Sequence, residues 1–413
     1  MSTTPRPLKV AVIGAGMAGQ AHAFGYRNAM MGHHGLNVQL HTIADPNLPL
    51  AESVAARYGF EHASGDIDAL LASDVDVISV ALPNFLHAEV LPKVLASGKH
   101  VFAEKPIGRT LEESARLQGL AETATGTTGV GFSFRRLPGL AAVAAAVADG
   151  VIGDVHTVRA WYLADYAADP HGALSWRYSQ EQSGGGALLD IGAHAIDALQ
   201  FVAGDVATVT DATLNTVIAE RPLPTAGAIG HGASTSTATG PVTNDDVALL
   251  SLVLQNGATG QVMLSRIAQG VPNSLGVEVF GTNGHARFDS LRAGEYQLFV
   301  ASDTDHVNNG PRTVATGPAH PYFADVAAMP GAGVGTGYAE AFVAEIQEFL
   351  AHLADGTPMD TDFATATRMM RVVHAALDSA THHAPVDVAA DPTPTAGART
   401  REPAHAASDT TSA

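Results

Sequence analysis

An acidic side chain and an imidazole stand four residues apart in the stretch SGGGALLDIGAHAIDAL, which covers Ser183–Leu199. If the stretch is helical, Asp190 and His194 share one face of the helix, one turn apart. Their neighbours are small or apolar, so this helix is expected to be largely buried. A carboxylate that caps a helix and a core histidine would give the same pattern. A carboxylate and an imidazole directed at one spot could instead carry out proton transfer.

The composition limits the classes of protein that the chain can represent. Its 413 residues, 46 % hydrophobic and 15 % charged, are typical of a globular chain with room for two domains. The 22 Lys and Arg against 41 Asp and Glu give a net charge of −19, and no basic cluster is present, so no nucleic-acid partner is expected. Without cysteine, disulfides and thiolate chemistry are excluded. The 19 histidines follow no metal-binding spacing, so no metal is expected.

The N-terminus has no features of a secretory leader. The segment MSTTPRPLKVAVIGAG passes from polar residues into an apolar strand, without a separate apolar region and a cleavage site. A run of about 18 apolar residues, which a membrane-spanning helix requires, is also missing from the sequence. A cytoplasmic protein with no membrane partner is therefore expected.

The distribution of apolar runs predicts two domains. Between residues 9 and 135, short runs of Val, Ile, Leu and Ala alternate with helical segments, which is typical of an α/β Rossmann domain with a doubly wound parallel sheet. Residues 136–387 predict an α+β domain with a large, mainly antiparallel open sheet. Helices are expected over 187–202, 338–354 and 362–381. Residues 1–8 are expected to be flexible, residues of about 220–243 to form a long surface loop, and residues 388–413 to be a disordered tail.

A glycine-rich turn follows the first predicted strand. Gly14, Gly16 and Gly19 form GxGxxG between a strand and a helix, which is the context of a dinucleotide-binding turn. The second strand ends at Asp45, whose carboxylate would accept hydrogen bonds from the ribose hydroxyls and repel a 2′-phosphate. No Lys or Arg follows Asp45 directly, so the pattern favours NAD over NADP.

Three further motifs occur after this turn. They are ALPNFLH at Ala81–His87, the EKP tripeptide at Glu104–Pro106, and GGGxLxDxGxHxxD at Gly184–Asp197. In this order, and with GxGxxG in front, they resemble the Gfo/Idh/MocA family, the glucose–fructose oxidoreductase and inositol dehydrogenase group. The resemblance covers roughly residues 8–385. Within the family the chain is most similar to sugar oxidoreductases of the levoglucosan dehydrogenase type, through the stretches Tyr162–Pro170, Leu174–Arg177, Glu220–Pro222 and Gly317–Tyr322.

The resemblance implies roles for three residues. Lys105 takes the position beside the nicotinamide, where an ammonium would stabilise the alkoxide that develops on the substrate. The family commonly has a cis peptide before this proline, so a cis Lys105–Pro106 bond is expected. His194 is the best candidate for the general base, and Asp190 would bind substrate or Lys105. Lys105 as the proton acceptor remains an open alternative.

Other positions are candidates for binding only. The cofactor-binding residues expected from the motifs are Gly14, Gly16, Met17, Ala18, Gly19, Asp45, Leu82, Pro83, Asn84, His87, Glu104 and Lys105. The substrate-binding candidates are Lys105, Phe134, Arg135, Asp165, Trp176, Arg177, Asp190, His194, His320 and Tyr338. Arg135 could instead form an interdomain salt bridge, and Trp176 could be an apolar anchor between the domains.

The resemblance implies an NAD-dependent dehydrogenase. It would oxidise a secondary ring hydroxyl of a pyranose, an anhydrosugar such as levoglucosan, or a cyclitol to the ketone. The resemblance implies C3 as the position that is oxidised. Two alternatives remain at this point: an enzyme that uses tightly bound NAD for transient oxidation, as in glycoside hydrolysis or epimerisation, and a non-catalytic NAD sensor. The open sheet of the second domain should be covered by another subunit, so a homodimer or homotetramer is expected.

Overall fold

The structure is a computed structural model that describes residues 6–32, 35–224, 232, 234–303, 307, 309–331 and 333–388. Its α-helices are α1 (Met17–Asn28), α2 (Leu48–Tyr58), α3 (Ile67–Leu71), α4 (Asn84–Ala96), α5 (Leu111–Glu122), α6 (Pro138–Ala148), α7 (Gln180–Ser183), α8 (Ala187–Asp190), α9 (Gly192–Ala203), α10 (Tyr338–Asp355) and α11 (Phe363–His382). The predicted tail after residue 388 lies outside the described residues.

The first sheet is parallel throughout and buried on both faces. Its six strands are β1 (Leu8–Ile13), β2 (Val38–Ala44), β3 (His62–Ser64), β4 (Val77–Val80), β5 (His100–Glu104) and β6 (Thr128–Gly131). They lie in the order β3-β2-β1-β4-β5-β6, which is the dinucleotide-binding arrangement with its crevice at the carboxyl ends of β1 and β4. The continuous apolar runs read from the sequence are five of these strands, whereas the three-residue strand β3 is partly exposed and has no such run. The predicted Rossmann domain is confirmed.

The second sheet is large and mainly antiparallel, as predicted. Its nine strands are β7 (Val155–Ala164), β8 (Val206–Asn215), β11 (Val247–Leu254), β12 (Thr259–Ser265), β13 (Asn273–Gly281), β14 (Gly284–Asp289), β15 (Glu295–Val300), β16 (Arg312–Ala315) and β17 (Val386–Asp387). Among the described strands of this second sheet, only the central β7–β12 pair is parallel. Helices α6, α9 and α11 contact one side of this sheet.

Helix α10 returns from the second half of the chain to the first domain. Its residues Ile346, Phe349 and Leu350 belong to the same buried cluster as Val10 of β1 and Tyr26 of α1. Gly25 lets the two helices approach closely, since a Cβ there would lie 2.8 Å from the backbone oxygen of Phe342. The expected division at residue 136 therefore fails for this helix, which completes the core of the nucleotide-binding half.

Three local expectations were wrong. The helix predicted over 187–202 is two helices, α8 and α9, that are separated at Ile191, and the segment Gln180–Asp190 is bent by 42° relative to Gly192–Ala203. At the bend, Gly192 approaches Leu264 so closely that a Cβ would lie 2.6 Å from its side chain, so close packing accompanies the change of direction. Of residues 1–8, which were expected to be flexible, residues 1–5 lie outside the described residues, whereas Arg6 pairs with Asp76 and Leu8 begins β1.

The third correction concerns the predicted loop over 220–243. Its ends pair as a two-stranded ribbon, β9 (Glu220–Pro222) with β10 (Thr239–Pro241), while residues 225–231 and 233 lie outside the described set. Arg221 fixes the ribbon, because its buried guanidinium donates to the backbone oxygens of Ala167 and Asp169 and stacks over Tyr178. The Gly, Ser and Thr content of the segment concealed this anchor.

Among the described residues, no single helix is long and apolar enough to cross a membrane, and one bent pair, Gln180–Asp190 with Gly192–Ala203, qualifies by length and composition only.

Candidate active site

The glycine turn between β1 and α1 leaves room for a ligand at its middle glycine. Gly14 has φ +101°, and a Cβ there would lie 2.2 Å from the backbone oxygen of Ala81. A Cβ on Gly19 would lie 1.8 Å from the backbone oxygen of Gly14. A Cβ on Gly16 would meet nothing within 4 Å. Gly14 and Gly19 thus serve the packing of the turn. Gly16 faces open space at the N-terminus of α1, where a pyrophosphate fits.

Asp45 stands at the carboxyl end of β2, beside the glycine turn. Its carboxylate accepts hydrogen bonds from the backbone N–H of Ala15 at 2.9 Å and of Asn47 at 2.8 Å. These bonds fix the carboxylate at the crevice, and no Lys, Arg or His of the described part of the chain forms a salt bridge with it. An acidic group in this position accepts hydrogen bonds from ribose hydroxyls and disfavours a 2′-phosphate. The residues of this crevice therefore fit NAD.

Lys105 and Asp190 meet across the two domains. The Lys105 Nζ donates to the backbone oxygen of Asp190 at 3.1 Å, not to its carboxylate. The Asp190 Oδ2 accepts from the Tyr166 hydroxyl at 2.8 Å. Burial favours the neutral acid, but Arg177, Lys105 and the Tyr166 hydrogen bond outweigh it and hold the pKa of Asp190 below its ordinary value. Asp190 is therefore an anion at neutral pH. The predicted cis Lys105–Pro106 bond is confirmed.

His194 lies in an aromatic environment at the start of α9. Its ring packs edge-on against Phe134, with 5.0 Å between centroids, and near Tyr162 at 5.9 Å. It is only 8 % exposed, and its Nδ1 has no hydrogen-bond partner among the described residues. Burial, reinforced by the charge of Lys105, lowers the pKa of His194 well below its ordinary value. The imidazole is therefore neutral at neutral pH and can accept a proton.

Trp176 and Arg177 form a short turn beside this cluster. The Trp176 ring meets Phe85 of α4 edge-on at 6.1 Å, so the two domains present aromatic surfaces to each other here. The Arg177 guanidinium lies 4.4 Å from the centre of the Trp176 ring, and its charge is the largest of those that stabilise the Asp190 carboxylate. Both predicted residues thus lie near the Lys105–Asp190 contact.

The other predicted cofactor residues follow strand ends of the first sheet. Asn84, at the start of α4, donates to the backbone oxygen of Ser183 at 2.7 Å and so ties the first domain to the triple-glycine turn. The Nδ1 of His87 lies 2.8 Å from the backbone oxygen of Pro106. Leu82 and Pro83 lie between β4 and α4. The Glu104 carboxylate points into the core, where it contacts His22, so its predicted role in cofactor binding stays a prediction.

The remaining substrate candidates occupy different surroundings. Arg135 makes a two-pronged salt bridge to Asp197, which is the alternative that the sequence left open. The Tyr338 ring packs on Phe134 at 5.0 Å and joins the aromatic cluster. Asp165 directly follows β7. His320 contacts Gly317 and Tyr296, which belong to the β15 side of the second sheet.

Sequence reasoning missed the groups that support the triple-glycine turn. The Asp245 carboxylate accepts from the backbone N–H groups of Gly186 and Leu188 and so caps α8. The Asn244 amide donates to the backbone oxygens of Arg177 and Gly185. Tyr166, which holds Asp190, was also missed. The adjacent polar residues Asn244–Asp246 at the start of a predicted strand were the available signal, since polar side chains at such a point usually bind backbone.

Comparisons with known proteins identify the family of the chain. The family profile described as "Oxidoreductase family, NAD-binding Rossmann fold" matches residues 8–132, and that of the "GFO/IDH/MocA C-terminal domain" matches residues 140–287. Levoglucosan dehydrogenase of Pseudarthrobacter phenanthrenivorans is 36 % identical over 387 residues, which are 92 % of this chain and 98 % of that protein. The chain belongs to the Gfo/Idh/MocA family of oxidoreductases.

Two further members of the Gfo/Idh/MocA family are informative. Levoglucosan dehydrogenase in complex with NADH and levoglucosan superposes with a TM-score of 0.86, at 34 % identity over 93 % of this chain and all of that one. D-Glucoside 3-dehydrogenase of Escherichia coli is 33 % identical over 205 residues, 49 % of this chain and 55 % of that protein. The predicted family and its NAD cofactor are thereby confirmed, and the protein is an NAD-binding oxidoreductase.

The glycine turn of this Gfo/Idh/MocA protein gives a paired prediction. Gly16→Ala should leave thermal unfolding nearly unchanged, because its Cβ meets open space, but should weaken NAD binding at least about tenfold by blocking the pyrophosphate. Gly19→Ala should lower the free energy of unfolding by roughly 1–3 kcal/mol, because its Cβ overlaps backbone. Calorimetric titration with NAD and thermal melts would check both. Equal effects of the two variants on NAD binding and on melting would contradict the assignment of separate roles.

Proposed function

We propose that the protein is an NAD-dependent dehydrogenase that oxidises a secondary ring hydroxyl of a pyranose, an anhydrosugar such as levoglucosan, or a cyclitol to the ketone. One arrangement carries this proposal. The Lys105 ammonium contacts the Asp190 backbone oxygen, and its charge acts on a neutral, buried His194, next to the carboxyl edge of the nucleotide-binding sheet. An acceptor and a cation side by side are what removal of a hydroxyl proton requires.

The chain's residues divide the chemistry as follows. His194 accepts the proton of the substrate hydroxyl, and the Lys105 Nζ donates a hydrogen bond to the oxygen that becomes negative. The Asp190 carboxylate, oriented by Tyr166, accepts a hydrogen bond from a neighbouring substrate hydroxyl and offsets the positive charge that His194 acquires. Bound NAD supplies the hydride acceptor. Positioning and charge stabilisation by these side chains account for the catalysis.

The surroundings of the site favour an uncharged polyol. Phe85 and Trp176 offer an aromatic surface of the kind that packs on the C–H face of a sugar ring. Arg177 is stacked on Trp176 and faces Asp190, so it is engaged rather than free to clamp a phosphate. The name of the Escherichia coli relative, D-glucoside 3-dehydrogenase, supports oxidation at C3.

The deciding experiment is NADH formation by the purified protein with levoglucosan, free pyranoses, glycosides and inositols, with NADP in parallel. NAD-dependent turnover of one class would establish the reaction and the substrate class together. No net reduction, with NAD retained through purification, would overturn the proposal in favour of transient oxidation. Exchangeable NAD without turnover of any sugar would overturn it in favour of a sensor.

We also propose that subunits associate through the uncovered side of the second sheet. Leu249 and Met263 are direct cross-strand partners there, 46 % and 49 % exposed, and Met263 lies opposite Trp161 on the next strand. A row of large apolar side chains across three strands is a typical subunit contact.

A charge placed in this row should therefore dissociate the assembly. Met263→Glu is expected to reduce the mass measured by light scattering to that of one protomer, because association would bury an unpaired carboxylate. Leu120→Glu is the matched control, since Leu120 is also exposed but lies on α5 of the first domain. A wild-type protein that is already a monomer would contradict the proposal.

A further inference from the structure

Three titratable side chains meet in the core next to Lys105, outside the set that the proposed mechanism uses. His22 comes from α1, Glu104 from β5 and Glu345 from α10, and their nearest nitrogen and oxygen atoms lie within 4.8 Å of one another. His22 and Glu345 are 0 % exposed and Glu104 is 9 % exposed. This is an unusual density of ionisable groups for a hydrophobic core.

Two members of the cluster are fully partnered. The His22 Nδ1 lies 2.6 Å from the Ser79 hydroxyl oxygen, and its Nε2 lies 3.1 Å from the Glu104 Oε1. A carboxylate can only accept, so the Nε2–H donates to Glu104 and the Nδ1 accepts from Ser79. The Glu104 Oε2 accepts the backbone N–H of Lys105 at 3.1 Å. The Glu104 carboxylate thus links the core directly to the Lys105 backbone.

Glu345 has no such partners. Neither of its carboxyl oxygens has a hydrogen-bond partner among the described residues. The titratable and charged groups that face it are His22 and Tyr26 from α1, Glu104 from β5, Arg136 from the segment after β6, and Tyr338 and Glu348 from its own helix. The Arg136 guanidinium is already paired with Glu348 and Thr361.

An ionised Glu345 is strongly disfavoured in these surroundings. A buried charge without partners loses its hydration, and a second carboxylate close by adds repulsion. Burial and then Glu104 raise the pKa of Glu345 well above its ordinary value, against the opposing effect of Arg136. A neutral carboxyl, by contrast, carries a proton that it can donate.

We propose that Glu345 is a neutral carboxylic acid whose O–H donates to the Glu104 carboxylate, and that it acts as a positioning residue for Lys105. Oxygen atoms of the two carboxyl groups lie within 4.8 Å of each other, so a rotation of the Glu345 side chain would be needed to form this hydrogen bond. Glu104 would then accept from His22, Lys105 and Glu345 together and remain an anion. The positioning role rests on the proposed function, because it requires Lys105 at the reacting centre, whereas the protonation of Glu345 does not.

The protonation state is tested by melting temperature against pH for the wild type, Glu345→Gln and the exposed control Asp355→Asn. A group with a raised pKa in the folded state holds a proton that the unfolded chain has released above pH 4.5. The wild type should therefore lose stability relative to Glu345→Gln as the pH rises above that value, by up to about tenfold in the unfolding equilibrium per pH unit. The opposite slope would overturn the proposal, since it would mean an ionised, stabilised Glu345.

Infrared spectroscopy gives an independent readout. The carbonyl band of a protonated carboxylic acid should be present in the wild type at neutral pH and lost in Glu345→Gln. If that band is missing from the wild type, Glu345 is ionised and the neutral acid is overturned. If elemental analysis finds a stoichiometric divalent metal that Glu345→Gln loses, the cluster is a metal site and the neutral acid is likewise overturned.

The positioning role is tested by turnover with the preferred sugar. Glu345→Leu, which has no donor, should lower kcat by about tenfold, because a hydrogen bond to a charged group is lost. Glu345→Gln, which keeps a hydrogen-bond donor, should keep a kcat close to that of the wild type. Equal loss in both variants, or none in either, would overturn positioning through Glu104. If the wild type oxidises no sugar, the proposed function fails, while the melting and infrared results still decide the protonation state.

Discussion

Replacing Lys105 by methionine is expected to lower kcat/KM for sugar oxidation by about 10³-fold while NAD binding is retained. Methionine keeps the length of the side chain but removes the ammonium that lies 3.1 Å from the Asp190 backbone oxygen and would stabilise the substrate alkoxide. Initial rates of NADH formation and a calorimetric titration with NAD would measure the two effects. Lys99→Met is the matched control, because Lys99 also donates to backbone carbonyls, those of Ser73 and Val75, but lies away from the site.

The same variant separates the two possible proton acceptors. The Lys105 charge contributes to the lowered pKa of His194, after burial. Without the Lys105 charge, the protonated form of His194 is easier to form, so the pKa of His194 should rise towards its ordinary value. The acid limb of the residual activity should then move to higher pH. A residual rate without an acid limb would identify Lys105, not His194, as the acceptor.

Replacing His194 by alanine is expected to cause a loss of similar size, about 10³-fold in kcat, because it removes the neutral base proposed to accept the proton of the substrate hydroxyl. In the wild type the lowered pKa keeps the imidazole neutral through neutral and mildly acidic pH. The rate should therefore be level across that range and fall only at more acidic pH, as His194 becomes protonated.

His374→Ala provides the comparison for this second variant, since His374 is 44 % exposed on α11 and pairs only with Asp378 among the charged groups described. Thermal melts should accompany the kinetics, because His194 packs against Phe134. A His194→Ala enzyme that turns over near the wild-type rate would show that the imidazole is only a core residue.

The parts of the molecule that could be predicted from sequence are those encoded by neighbouring residues. Gly14, Gly16 and Gly19 could be read because their spacing alone defines the turn, and Asp45 because it directly ends a strand. Five strands of the first sheet were visible because burial on both faces leaves continuous apolar runs, whereas the short, partly exposed β3 leaves none. The proximity of Lys105 and Asp190 could be predicted only through the family resemblance, because 85 residues separate them in the sequence.

The features that sequence reasoning missed depend on contacts between segments that are distant in the chain. The bend at Ile191 is tied to close packing of Gly192 on Leu264, and the ribbon at Arg221 to carbonyls more than fifty residues away. Glu345 lies in a helix whose periodicity is ordinary, and only its packing against α1 reveals that its carboxyl group has no partner. Tertiary contacts of this kind leave no local pattern to read.

The return of α10 to the first core bears on attempts to build chimeras within the family. A nucleotide-binding half taken as a continuous piece, ending near residue 136, would leave the surface that receives Ile346, Phe349 and Leu350 exposed to water. It would also lack Glu345 and Tyr338. The exchangeable unit is therefore discontinuous, residues 6–136 together with 338–361, and recombination that respects this boundary should give soluble hybrids where a single crossover does not.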